Sequence, residues 1–387
     1  MTTLSVLTGP DAPRAARLAL TALGLPAPGA SVERQRVHHR PGSDTTVSFL
    51  VGEASGRGGV TVLLTDADVG PPAVPVEVDG QVLRAWLHPD DPRLPDLRSA
   101  LDPAVLGSWL APATTVGGVA AELLSYRPLR RAVVRVTAGR RRFFVKLWRP
   151  GRGEGLIARH HALGDAGITP QIVALPAPGV LVVQEADGVP LATRLAEWNN
   201  DRAPLPEPGA VMAFLDRLPA SLLRFPERPA WSDRLDFHGA AAAEALPDQA
   251  GEIHSIVRHV GRVLAGRPEV PRVPTHGDFY EANVFVGPQG FTSLIDVDTA
   301  GPGRRVDDLA CLLGHLAVLP DLSPGHYHRL PHVTHGWAAA FERVVDPIEL
   351  RARVAGVILS LVAGATRPHA LVRLDLCRSW LYRAENG

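Results

Sequence analysis

The chain has 387 residues, 45% of them hydrophobic and 21% charged, with 40 basic residues balanced by 40 acidic ones. That is the composition of a soluble globular protein long enough for two or three cores, and a net charge of zero argues against a nucleic-acid binder, which carries a basic stripe. Two cysteines, Cys311 and Cys377, make neither a disulfide framework nor a zinc site; the first 25 residues lack the cationic start and apolar run of a signal peptide, and the longest apolar run, 354–365, is too short to span a bilayer. The expectation is a cytoplasmic protein with neither a membrane nor a nucleic-acid partner.

Along the chain, Pro and Gly, at 36 and 37 residues, punctuate the elements heavily. A helix is predicted near 13–23, then strands at Thr45–Val51 and Val60–Leu64. Asp90-Asp91-Pro92-Arg93-Leu94-Pro95 marks a loop, and Ala111-Pro112-Ala113-Thr114-Thr115 a domain boundary. Ala132–Val136 and Phe143–Leu147, joined by Thr137-Ala138-Gly139-Arg140, form a hairpin. There is a weak internal echo. His39-Arg40-Pro41 leads into one strand as Tyr126-Arg127-Pro128 leads into another, which suggests a small α+β cap beside a similar sheet. Val180–Glu185 is another strand and ends in the turn Ala186–Pro190. Helices follow at 191–197, 209–223, 236–247, 250–265, 306–319, 332–344, 348–365 and 369–384. A strand-rich region therefore precedes a helical one, with a joint near residue 186, and a cleft between two such lobes is a natural ligand site. The domains read as a cap at 1–108, a strand-rich lobe at 109–186 and a helical lobe at 187–387.

All but one of the 40 basic residues are arginine; the exception is Lys146. Arginine serves wherever surface charge suffices, but not where a compact, flexible point charge must reach a phosphate or a buried carboxylate. Lys146 sits in the strand Phe143-Phe144-Val145-Lys146-Leu147, where an unpaired ammonium is costly to bury.

The chemical core is His276-Gly277-Asp278-Phe279-Tyr280-Glu281-Ala282-Asn283, followed by Leu294-Ile295-Asp296-Val297-Asp298. Phosphoryl transfer from a nucleotide needs a carboxylate beside the acceptor hydroxyl, and an amide oxygen and a second carboxylate to hold a divalent cation on the phosphates. Asp278 and Asn283 are five residues apart, the spacing of base and metal ligand on the protein-kinase catalytic loop. Val284–Val286 and Thr292–Ile295 read as a hairpin that returns Asp296 to the same mouth.

This series resembles the aminoglycoside phosphotransferase and choline kinase group of protein-kinase-like enzymes, as does Gly301-Pro302-Gly303-Arg304-Arg305-Val306-Asp307-Asp308-Leu309-Ala310. The resemblance covers roughly 120–385. It implies an α+β, protein-kinase-like bilobal fold with an added N-terminal cap, and an ATP- and Mg²⁺-dependent kinase. By resemblance Asp278 is the catalytic base, Asn283 and Asp296 bind Mg²⁺, and Asp298 is a second metal ligand or an orienting carboxylate. Lys146 holds the α- and β-phosphates, while Gln184, Glu185 and Ala186 meet the adenine. His276 braces the loop, and Asp308 caps its helix and ties the loop down.

The turn that covers the phosphates in kinases is here Ser125–Arg131, without glycine. Its arginines either pair with phosphate directly or form a solvated basic turn. The glutamate partner expected for Lys146 is Glu154 or another group, since Glu154 precedes the helical run 156–165. His326, His328, His332 and His335 do not match a zinc spacing and read as a surface or pocket-lining group. The tryptophans read as packing residues, one or two C-terminal ones being candidates for stacking on a sugar. Glu281 and Asp307 either contact a cationic substrate or serve as solvated or capping groups.

The extra cap resembles the maltokinase and glucosamine-kinase branch and points to a sugar or amino-sugar acceptor, although that branch carries Phe-Glu where this chain has Val297-Asp298. Aminoglycoside modification, which predicts an acidic pocket for a polycation, is the second reading. A nucleotide-binding regulator without turnover is the third, and the presence of Lys146, Asp278, Asn283 and Asp296 speaks against it.

Overall fold

The computed structural model describes residues 3–25, 28–39, 44–52, 59–111 and 118–386. The boundary expected at Ala111–Thr115 lies, from Pro112 onward, outside the described residues, as do Arg40 and Pro41 of the first Arg-Pro turn. The chain divides into two compact units, residues 1–154 with 172–185, and residues 155–171 with 186–387.

The first unit begins with α1 (Thr3–Thr8) and α2 (Ala12–Ala22), then β1 (Ser31–His38), β2 (Thr46–Gly52), β3 (Gly59–Thr65), β4 (Val74–Val78) and β5 (Gln81–Leu87). These strands form an antiparallel sheet in the order β1-β2-β3-β5-β4. Pro13 opens α2, where its missing N–H costs nothing. Ala15, Ala16, Ala19 and Leu20 recur at helical spacing and are all fully buried against Val47, Phe49, Val62 and Leu64. Small side chains on that stripe let the helix lie close to the sheet.

After α3 (Pro103–Leu110), N-capped by Asp102, come β6 (Val119–Arg127), β7 (Arg131–Ala138) and β8 (Arg141–Trp148), then α4 (Glu154–Asp165), β9 (Ile172–Ala174) and β10 (Val180–Gln184). The order β6-β7-β8-β10-β9 repeats that of the first sheet. Val134, Val136, Phe143, Val145, Val180 and Val182 alternate onto one face and bury against Leu106 and Leu110 of α3.

The turn between β6 and β7 is pinned to the N-terminal sheet. Asp91, 1% exposed, accepts hydrogen bonds at Oδ2 from the Tyr126 hydroxyl (2.8 Å) and the Leu129 amide (2.7 Å). Its Oδ1 accepts from the amides of Arg93 (2.8 Å) and Leu94 (3.2 Å). Leu129 has φ of +61°, which costs a side-chain-bearing residue ~1–2 kcal/mol. Its side chain is fully buried with Leu63, Val69, Ala73 and Trp86, a gain of about 1.5–3 kcal/mol that outweighs the backbone cost.

In the second unit β11 (Val189–Pro190) joins β13 (Val284–Gly287) and β14 (Gly290–Leu294), and β12 (Val273–Thr275) pairs with β15 (Gly301–Gly303). The rest is helical: α5 (Leu191–Asn199), α6 (Pro208–Leu215), α7 (Leu235–Ala245), α8 (Ala250–Ala265), α9 (Arg305–Leu322), α10 (Pro324–Tyr327), α11 (Leu330–Phe341), α12 (Pro347–Ser360) and α13 (Arg367–Asn386). One large core gathers α9, α12 and their neighbours. Three helix ends differ from expectation. The helix predicted at 209–223 stops at Leu215 and resumes as a 3₁₀ turn at Ala220–Arg224, interrupted by Pro219. The helix predicted to run to 365 stops at Ser360, before Gly364 and Pro368. The helix predicted at 332–344 runs from Leu330 to Phe341, with Pro331 in its first turn. Among the described residues no helix is long and apolar enough to cross a membrane.

Candidate active site

The loop from His276 to Asn283 connects β12 to β13, and its shape is over-determined. Phe279 is fully buried and anchors it to the core. Gly277 has φ of +80°, and a Cβ there would lie 3.0 Å from the Thr299 carbonyl oxygen, so glycine is required. Asp308, fully buried on α9, accepts from the amides of His276 (2.9 Å) and Gly277 (2.8 Å). Burial pushes its carboxyl up to about 7 even though both amides favour the ionised form. Asp308 ties the loop down as expected, but the helix cap falls to Asp307, whose Oδ2 accepts from the Arg304 amide at 3.1 Å. His276 braces the loop from inside. Its Nδ1 accepts from the Asp278 amide (3.3 Å), which leaves Nε2–H to donate to the Ile295 carbonyl (2.9 Å). Burial lowers its pKa, so the ring is neutral.

Each oxygen of the Asp278 carboxylate has a donor. Asn283 Nδ2 lies 3.2 Å from Oδ2 and also 3.0 Å from the Asp278 carbonyl. Trp231 Nε1 lies 3.1 Å from Oδ1. Burial pushes the Asp278 carboxyl up to about 6; Asp296 and Asp298 add to the rise, while the Trp231 and Asn283 donors oppose it.

The hairpin β13–β14 returns the chain as its spacing implied. Val284 pairs with Leu294, and the Ile295 amide donates to the Asn283 carbonyl at 3.0 Å. Asp296 follows with φ of 54° and ψ of 50°, a left-handed conformation, and Asp298 lies in the 3₁₀ turn behind it. These residues fit a hard divalent cation. Asn283 spends its N–H₂ on Asp278, which reserves the amide oxygen, and Asp296 and Asp298 add carboxylate oxygens. Mg²⁺ is commonly held by one or two carboxylates plus substrate phosphates. Among the described residues no three His, Cys, Asp or Glu side chains converge as a metal site.

The remaining expected residues lie as follows. Lys146 is half-buried on β8, opposite Val133 and Leu181 and on the face away from α3. Glu154 does not precede the next helix but opens it. Glu185 donates its amide to the Arg142 carbonyl (3.2 Å) and pairs its side chain with Arg142 (2.8 Å). Gln184 ends β10, and Ala186 is buried. Arg127 and Arg130 do not form a purely solvated turn. They line a cavity of about 320 Å³ with His38, His39, Asp44 and Thr46, where Arg130 pairs with Asp44 at 3.4 Å. Glu281 is not solvated either. It is 6% exposed, burial pushes its carboxyl up to about 7, and its Oε2 has no hydrogen-bond partner among the described residues. His328 meets Asn199 at 3.0 Å, and His335 Nδ1 lies 2.6 Å from the Pro331 carbonyl.

Three residues of the site have no motif to announce them. Trp231, read as packing, touches the Asp278 carboxylate. Arg353 on α12, 4% exposed, lies 2.8 Å from Ser232 Oγ, 3.0 Å from Asp233 and 2.8 Å from Glu349, with a 2.9 Å ion pair to Asp307 outside hydrogen-bond alignment. It therefore fixes the 3₁₀ turn Trp231–Asp233 against α9 and α12. Arg159 of α4 donates to the Ala300 carbonyl at 2.5 Å and bears on the turn that carries Asp298.

Compared with known proteins, residues 128–341 match the model of the phosphotransferase enzyme family. A comparison with curated proteins finds no match. Among solved structures, a thermostable mutant of aminoglycoside phosphotransferase APH(4)-Ia, in ternary complex with ADP and hygromycin B, is 16% identical, with 74% of this chain and 99% of that chain covered and a TM-score of 0.49. A choline/ethanolamine kinase family protein from Mesorhizobium loti is 18% identical, with 75% and 97% covered and a TM-score of 0.49. Spectinomycin phosphotransferase APH(9)-Ia, in complex with ADP and spectinomycin, is 14% identical, with 70% and 94% covered and a TM-score of 0.46.

Proposed function

The chain belongs to the phosphotransferase enzyme family, an ATP-dependent kinase class acting on hydroxyl groups, and from that premise we propose that it transfers the γ-phosphate of ATP to a hydroxyl of a sugar or amino sugar. The observation that carries this reading is the Asp278 carboxylate, clasped by Trp231 and Asn283 beside the returning Asp296 segment. Asp278 aligns the acceptor hydroxyl and takes its proton as the oxygen attacks phosphorus. Two fixed donors hold the carboxylate in one orientation, so little reorganisation is needed at the moment of reaction. Asn283, Asp296 and Asp298 are the residues to hold Mg²⁺, which when bound neutralises phosphate charge. Lys146 is assigned to the α- and β-phosphates, and the backbone of Gln184, Glu185 and Ala186 to the adenine.

A second reading, modification of an aminoglycoside, draws support from Glu281. A buried carboxylate with an unpartnered oxygen, three residues from the base, suits an amino group on the acceptor. Both readings are tested by ADP release from Mg²⁺-ATP against glucose, glucosamine, maltose, choline and several aminoglycosides, with Asp278→Asn as blank. A signal confined to one acceptor class and lost in Asp278→Asn identifies the substrate. ADP release that persists in Asp278→Asn removes the proposed base.

A further inference from the structure

Beside the base lies an aromatic ledge that the transfer reaction itself does not call for. Trp231 is half-exposed while its Nε1–H is fixed on Asp278 Oδ1 at 3.1 Å. The rings of Trp231 and His238 are 5.6 Å apart at 33°, and those of His238 and Phe237 are 5.3 Å apart at 77°. Phe237 is 60% exposed. Burial, with help from Arg234, pushes His238 down to about 4, so the middle ring is neutral at physiological pH. Arg234 covers one face of the Phe237 ring at 4.5 Å, and the half-exposed Trp231 is the end of the ledge that meets Asp278.

The Trp231 ring cannot turn away from the site. Its N–H is held by Asp278, and Ser232 and Asp233 behind it are held by Arg353. Gly356 lets α12 press against this turn, since a Cβ there would lie 3.1 Å from Ser232 Cβ. The result is a rigid, uncharged aromatic surface within hydrogen-bond distance of the group that activates the acceptor hydroxyl. The chemistry complementary to it has an apolar face and a hydroxyl edge at right angles. A pyranose has that shape, with axial C–H bonds for the ring and equatorial hydroxyls for the carboxylate.

We propose that Trp231 is the floor of the acceptor subsite, takes a pyranose by its C–H face, and through its N–H also positions Asp278. This rests on the reading of Asp278 as the base and narrows the acceptor class.

The test has two parts. Saturation-transfer NMR on Asp278→Asn, which binds without turnover, is run with glucose, glucosamine and maltose. Saturation should reach the protons of one ring face, and Trp231→Leu should abolish it. In steady-state kinetics Trp231→Leu should raise the acceptor KM by about tenfold or more, the loss of one stacking surface, with the KM for ATP unchanged. Trp231→Phe keeps a ring and removes the donor, so it should leave the acceptor KM within about threefold and lower kcat by about tenfold. ADP affinity measured on both variants confirms that they are folded. An acceptor KM unmoved in Trp231→Leu, or no pyranose bound by Asp278→Asn, overturns the proposal. Turnover of a sugar with an unmoved KM leaves the kinase reading intact, whereas one-face saturation without phosphoryl transfer from any acceptor removes the kinase reading and keeps the ledge.

Discussion

Replacing Asp91 with alanine should loosen the turn between β6 and β7, and the loss can be worked out contact by contact. Asp91 accepts four hydrogen bonds while 1% exposed. The Arg93 amide lies near solvent and can rehydrate, and the Leu94 amide keeps its bond to the Asp91 carbonyl at 3.1 Å, so both losses are minor. The Leu129 amide and the Tyr126 hydroxyl are enclosed, and each buried donor left unpaired costs about 1–3 kcal/mol. The hydroxyl can rotate and recover part of its share, which the amide cannot. A total near ~3–4 kcal/mol follows, or roughly 6–16 °C in the transition of the first unit at about 2–4 °C per kcal/mol. Asp91→Asn should fall between wild type and Asp91→Ala. Its amide oxygen can serve one pair of donors, but its N–H₂ then faces the other pair. Thermal melts give the global figure, and hydrogen exchange at the Leu129 amide gives the local one. An Asp91→Ala protein that melts within about 2 °C of wild type with Leu129 still protected would refute the reasoning.

Lys146→Ala should raise the KM for ATP by about tenfold or more while the melting temperature holds, because a flexible point charge on phosphate is lost from a half-exposed strand face; an unchanged KM for ATP contradicts the assignment. The pH dependence of kcat has a defined sign. Asp278 acts ionised, and burial holds its carboxyl at about 6, so activity should be flat above that pH and fall tenfold per unit below it. A profile flat from pH 5 to 8 rules out a base in this environment. Arg353→Met should cost about 3–5 kcal/mol in urea titrations, because Glu349 and Asp307 stay buried without their counter-charge; a loss below about 1 kcal/mol shows the network to be dispensable.

The geometry of the 276–296 segment was legible because its spacing is local. The five residues from Asp278 to Asn283 and the thirteen from there to Asp296 span one loop and one hairpin, and two antiparallel strands fix where their ends meet. Helix existence was legible for the same reason, and helix ends were not, since Pro219 and Pro331 act by position within a turn that composition does not reveal. Trp231 was out of reach. It lies 47 residues from Asp278, and what makes it part of the site is the approach of α12 through Arg353, a contact 120 residues away in the chain. Arg159 likewise meets Ala300 across 141 residues. Burial likewise decided between alternatives the residues left open. Glu281 is enclosed and not solvated, and Asp307 caps α9 where Asp308 was expected to.

Asp296 shows where the needs of the fold and of the proposed reaction diverge. Its left-handed backbone, φ 54° and ψ 50°, is one that glycine adopts freely and asparagine tolerates well, and its carboxylate raises the proton affinity of Asp278 nearby. A search for stability alone would discard this aspartate, since glycine there relieves both the backbone and the electrostatic cost. Any stabilised sequence obtained by selecting for melting temperature or expression will therefore tend to lose the residue proposed to hold the cation, and screens on this scaffold select for a working enzyme only when turnover is part of the selection.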